Sequence, residues 1–129
     1  MQAITRLKET PMGAAVLIVE DEQSLADLLK LRLDDEGFQV TVAYTGEDAV
    51  KDIKAKKPDL ITLDIHLPDA NGLRMLEKIK ANPETKAIPV IIISSSDEDD
   101  EAKNSGAADY MRKPVNFHKL IETLKRLGK

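Results

Sequence analysis

Glu20, Asp21 and Glu22, then Asp64, then Ser94 to Ser96, and finally Lys113 ahead of Pro114 each stand just beyond a short segment of strand-like composition. Carboxylates gathered at neighbouring strand ends repel one another, and left uncompensated they raise at least one pKa or destabilise the fold. A hard divalent cation relieves that repulsion. Magnesium takes oxygen ligands in an octahedron, usually one or two carboxylates with water and substrate phosphate, which suits Glu20, Asp21 and Asp64. Asp64 follows the apolar run Leu60-Ile61-Thr62-Leu63. A carboxylate there could attack phosphorus in line and become an aspartyl phosphate. Lys113 as a point charge and Ser94 as a hydroxyl donor would hold the transferred oxygens.

Plainer readings exist for each residue taken alone. Acids at 20 to 22 suit the N-terminal end of a helix dipole, and so do those of the run Asp97 to Glu101. Asp64 could cap a turn, and Lys113-Pro114 could be a simple turn. His66 has no second imidazole at ligand spacing, which disfavours a transition-metal role, and His118 reads as surface. The plain readings weaken when the acids, Asp64 and Lys113 are taken together.

These groups converge only if the chain brings the strand ends together. Ala15 to Val19, Gln39 to Ala43, Leu60 to Leu63 and Val90 to Ile93 read as strands, with Asp109 to Met111 a weaker fifth. Three of them are nearly continuous apolar runs, as strands covered on both faces should be. Between them lie helical repeats: Leu25, Leu29 and Leu33; Leu73, Leu76 and Ile79; and Phe117, Leu120, Ile121 and Leu124. Thr45, Ser96 and Asn116 are placed to cap helices, and Gly37 to close the first one. Repeated β-α alternation predicts an α/β doubly wound parallel sheet of five strands with helices on both faces. In such a sheet ligands bind beyond the carboxyl ends of the strands, where the acids, hydroxyls and Lys113 fall.

Composition narrows the functions. The chain has 129 residues, 42% of them hydrophobic and 33% charged, which suits one soluble domain, and no run approaches a membrane span. Residues 1–13 read as a tail or linker and 14–129 as the domain. The opening segment lacks the apolar core of a secretory signal, so the cytoplasm is the expected location. A net charge of −4 gives no basic stripe for direct nucleic-acid binding. Two Tyr, two Phe and no Trp leave few rings to sandwich a flavin, which argues against a flavodoxin-type electron carrier. The absence of Cys excludes disulfides and thiol chemistry.

The segments Val16 to Glu22, Pro58 to Asp64, Leu67-Pro68 with Asn71-Gly72-Leu73, and Gly106 to Pro114 together resemble the receiver domain of two-component response regulators. The resemblance covers about Ala15 to Leu127. It implies the flavodoxin-like strand order 2-1-3-4-5 and a domain that catalyses its own phosphorylation and dephosphorylation with Mg2+, without acting on an external substrate. Residue by residue, it makes Glu20 and Asp21 the metal-holding acids, Asp64 the phosphoacceptor, and the backbone carbonyl of His66 a further metal ligand. Ser94 matches the switch hydroxyl, Tyr110 the aromatic that moves with it, and Lys113 the phosphate-binding lysine, next to a cis bond at Pro114. Glu20 stands where Asp is commoner and Ser94 where Thr is; each keeps its functional group. His66 and Ser96 flank the path of the hydrolytic water, and neither offers the acidic or amide side chain that would hold it, so slow loss of phosphate is expected.

The implied partners are a sensor histidine kinase or phosphotransfer protein as donor and a downstream effector domain or protein, with a phosphorylation-dependent dimer allowed and no membrane or nucleic acid contacted directly. The output face would comprise a mobile helix over Asp97 to Ser105, the fifth strand and the C-terminal helix. The alternative is a receiver-like interaction module that no longer turns over phosphate. Retention of the acids, Asp64, hydroxyl and Lys113 argues against it.

Overall fold

Apolar runs without polar alternation are stable only between two covering layers, and the centre of this protein is built that way. In the computed structural model, which describes residues 13–95 and 105–128, five strands form one parallel sheet: β1 (Ala15–Val19), β2 (Gln39–Ala43), β3 (Leu60–Asp64), β4 (Val90–Ser94) and β5 (Asp109–Arg112). Their order is β2-β1-β3-β4-β5, all neighbours parallel. The sequence reading of the fold holds, with Asp64 and Ser94 themselves forming the last residues of β3 and β4.

Four helices lie among the described residues: α1 (Gln23–Asp35), α2 (Gly46–Lys56), α3 (Gly72–Ala81) and α4 (Phe117–Leu127). Alternate strand residues divide between two cores. Leu17, Val19, Ile61, Leu63 and Ile92 pack with Ala49 and Ile53 of α2 and Leu76 and Ile79 of α3. Val16, Ile18, Leu60, Ile91 and Ile93 pack with Leu29 and Leu33 of α1 and Leu120 and Leu124 of α4. A fully buried Leu or Ile stabilises by about 1.5–3 kcal/mol. The buried β1, β3 and β4 therefore hold the sheet together, while β2, largely half-exposed, is an edge.

Local signals fix the ends of the helices. Thr45 accepts from Asp48 N and Asn116 from Lys119 N, as their positions predict. Asn71 caps α3 by accepting from Leu73 N and Arg74 N. At Gly37, with φ of 96°, Gly37 N donates to Asp34 O and Phe38 N to Leu33 O. That double closure stops α1 and needs a residue without a Cβ. The expected Ser96 cap, all but the last residue of the helix expected over Asp97 to Ser105, and nearly all of the expected tail lie outside the described residues. No helix among the described residues is long and apolar enough to cross a membrane.

Candidate functional site

The register carries the chemistry to one edge. Val19 pairs with Leu63, Asp64 with Ile93, and Ser94 with Arg112, so Glu20, Asp64, Ser94 and Lys113 all leave the sheet at the same end. Glu20 continues the ladder beyond β1 by donating its N–H to Ala43 O at 3.0 Å. The residue is 2% exposed. The plain reading of residues 20–22 as a solvated helix start therefore fails for Glu20, although Asp21 and Glu22 are exposed.

Carboxylate oxygens of Glu20, Asp21 and Asp64 lie within 4.8 Å of one another. Lys113 Nζ sits among them, 3.1 Å from both oxygens of Glu20 and 3.3 Å from Oδ2 of Asp64. The other Asp64 oxygen, Oδ1, accepts from His66 N at 3.0 Å, and Glu20 Oε2 also accepts from Glu22 N. Burial pushes the Glu20 carboxyl above the usual range, against the Glu22 N–H; the Asp64 charge adds to the rise and Lys113 opposes it. Burial would lower Lys113, but the Glu20 and Asp64 carboxylates outweigh it and hold the ammonium above its ordinary value. Lys113 is thus a firm cation, shared by Glu20 and Asp64.

A clustered all-oxygen donor set with more carboxylate than ammonium fits a hard cation such as Mg2+. Glu20, Asp21 and Asp64 are the residues that could hold it. Ser94 is fully buried at the end of β4, and its carbonyl accepts from Lys113 N at 2.8 Å, which ties β4 to the lysine's own backbone. The Lys113–Pro114 bond is cis. Tyr110 is half-buried in β5 against the core shared with α2 and α3. His66 is exposed. Ser96 lies outside the described residues.

Comparison with known proteins bears on this arrangement. The model of the response regulator receiver domain family matches residues 16–125. The chain belongs to the response regulator receiver domain family. This receiver domain is 36% identical over 114 residues to protein PilH of Pseudomonas aeruginosa, spanning 86% of this chain and 94% of PilH. It is 32% identical over 115 residues to the phosphate regulon transcriptional regulatory protein PhoB of Rhizobium meliloti, spanning 87% of this chain but 51% of PhoB. Among solved structures, the signal receiver domain of a signal transduction histidine kinase from Syntrophus aciditrophicus superposes with a TM-score of 0.83 at 33% identity, covering 89% of each chain.

Two features of the receiver domain's site escape a reading of the sequence alone. A Cβ on Gly72 would collide with the backbone oxygen of Asp64 and lie 2.7 Å from Ile65 Cα. The start of α3 therefore presses directly on the backbone that carries Asp64. Asp69 accepts from Gly46 N at 2.7 Å and from Glu47 N at 3.0 Å, joining the loop after β3 to the first turn of α2. A lone Asp in a loop gives no sign of partners more than 20 residues earlier; Gly72 at least stood within a recognised motif.

Proposed function

We propose that this receiver domain is a phosphorylation-switched signalling module of a two-component phosphorelay. The observation that carries the reading is the ammonium of Lys113 set 3.3 Å from the Asp64 carboxylate, with the acids Glu20 and Asp21 beside it. A phosphohistidine of a sensor histidine kinase or phosphotransfer protein is the donor. An Asp64 oxygen attacks phosphorus in line as the P–N bond breaks, the imidazole nitrogen keeps the bonding pair, and an aspartyl phosphate results. Mg2+, when bound, neutralises charge developing on the phosphoryl oxygens. Glu20, Asp21, Asp64 and the His66 carbonyl would hold it, while Lys113 and the Ser94 hydroxyl hold phosphoryl oxygens. Water attacking phosphorus later restores the carboxylate and releases phosphate.

Ser94 and Tyr110 would pass the change to the face that includes β5 and α4, where a downstream effector reads it. The domain, over residues 14–129, would act in the cytoplasm. The test is exposure of the protein to acetyl phosphate with and without Mg2+, read by intact mass. A single phosphoryl increment that needs Mg2+ and is slowed in Asp21→Ala supports the reading; no increment under any condition overturns it.

A further inference from the structure

The loop between β3 and α3 is closed on itself at its stem. Gly72 N donates to Ile65 O at 2.7 Å, His66 and Asn71 form an antiparallel bridge, and Leu67 N donates to Ala70 O at 3.3 Å. The tip, Leu67 to Ala70, therefore moves together with His66. That tip rests on the first turn of α2. Each oxygen of Asp69 takes a separate amide, Oδ1 from Gly46 and Oδ2 from Glu47. Those N–H groups hold the Asp69 carboxyl below its ordinary pKa, so it is a charged clamp at neutral pH. Gly46 lets the loop come close: a Cβ there would stand 2.6 Å from Ala70 Cβ and 3.3 Å from both Asp69 Oδ1 and Met75 Sδ.

We infer that Asp69, with Gly46 opposite, is a positioning residue that fastens the tip of this loop to α2 and thereby sets where the His66 carbonyl stands relative to the acids of the site. The inference rests on the proposed metal role of that carbonyl. A bidentate carboxylate clamp fixes both distance and tilt, and the loop's own hydrogen bonds transmit a displaced tip to His66. Residues that orient a metal ligand without touching the metal change affinity by about tenfold or more when lost.

The test is Mg2+ titration of 15N-labelled protein, followed by amide shifts, alongside thermal melts. The forms compared are the wild type and the Asp21→Asn, Asp69→Ala, Asp69→Asn and Gly46→Ala variants. Asp69→Ala should bind Mg2+ about tenfold more weakly. Asp69→Asn, which keeps one acceptor oxygen, should fall between it and wild type. Gly46→Ala should weaken binding from the opposite side by displacing Ala70. A purely structural clamp would lower the melting midpoint and leave Mg2+ affinity at the wild-type value in all three, and that result overturns the inference. Should Asp21→Asn bind Mg2+ as wild type does, the metal site itself has been misassigned, an outcome separable from failure of the clamp alone.

Discussion

Lys113 Nζ stands 3.1 Å from both carboxylate oxygens of Glu20, a residue 93 positions earlier in the chain. With the longer side chain of Glu at this position, the acid meets the lysine directly. The ammonium is thereby a built-in counter-ion for Glu20 and Asp64.

Removing that counter-ion should be costly at neutral pH. Lys113→Met leaves two buried carboxylates without their cation and should destabilise by about 2 kcal/mol. The raised folded pKa of Lys113 means that its contribution is complete at pH 7 and fades only in alkali, as pH rises through that pKa. In the variant, Glu20 loses the partner that opposed its burial-raised pKa. Protonation then favours the folded state, so the deficit should shrink between pH 7 and pH 5. Urea unfolding of both proteins across that range measures it.

Gly72→Ala should destabilise by about 3 kcal/mol, at the upper end for overpacking, because the added Cβ meets backbone and not a movable side chain. Gly106→Ala, whose Cβ would meet Lys80 Cγ at an ordinary 3.8 Å among the described residues, is strained by its φ of 95°. Chemical denaturation should rank Gly72→Ala as the worse of the two.

The Asp69 clamp carries a pH signature of its own. Its folded pKa lies below the ordinary aspartate value of 3.8. Its contribution is therefore present above that value and is lost as pH falls through the lower folded one. The difference in melting midpoint between wild type and Asp69→Asn should be clear at pH 7 and should fade below about pH 4. A difference constant from pH 7 to pH 3 would show that the Asp69 charge does not matter.

Much of this was legible because it is local. An apolar run such as Val90 to Ile93, a cap such as Thr45 and a terminator such as Gly37 announce themselves within a few residues. The carboxyl edge followed once strands and helices alternated, and the family motifs named residues on it. What stayed hidden is non-local. Nothing around Glu20 says that it is buried, since its neighbours Asp21 and Glu22 are exposed. Nothing around Asp69 points to the amides of Gly46 and Glu47. The closeness of Gly72 to Asp64 arises from how tightly α3 returns to the strand end.

Phosphoryl lifetime gives a further prediction. His66 is exposed beside Asp64, and its backbone N–H donates to that carboxylate. The aspartyl phosphate should decay slowly, and a His66→Asn, Ser96→Glu double variant, which offers groups able to hold the attacking water, should lose phosphate faster. Decay followed by intact mass after removal of donor decides it; equal or slower loss in the double variant contradicts the assignment.

The most direct measurement is the intact mass of wild type and Asp64→Asn after incubation with acetyl phosphate and Mg2+. Asn keeps the shape of Asp and loses the attacking charge. The wild type should gain one phosphoryl group and Asp64→Asn none, with both proteins melting as folded domains. An equal increment on folded Asp64→Asn would contradict the account.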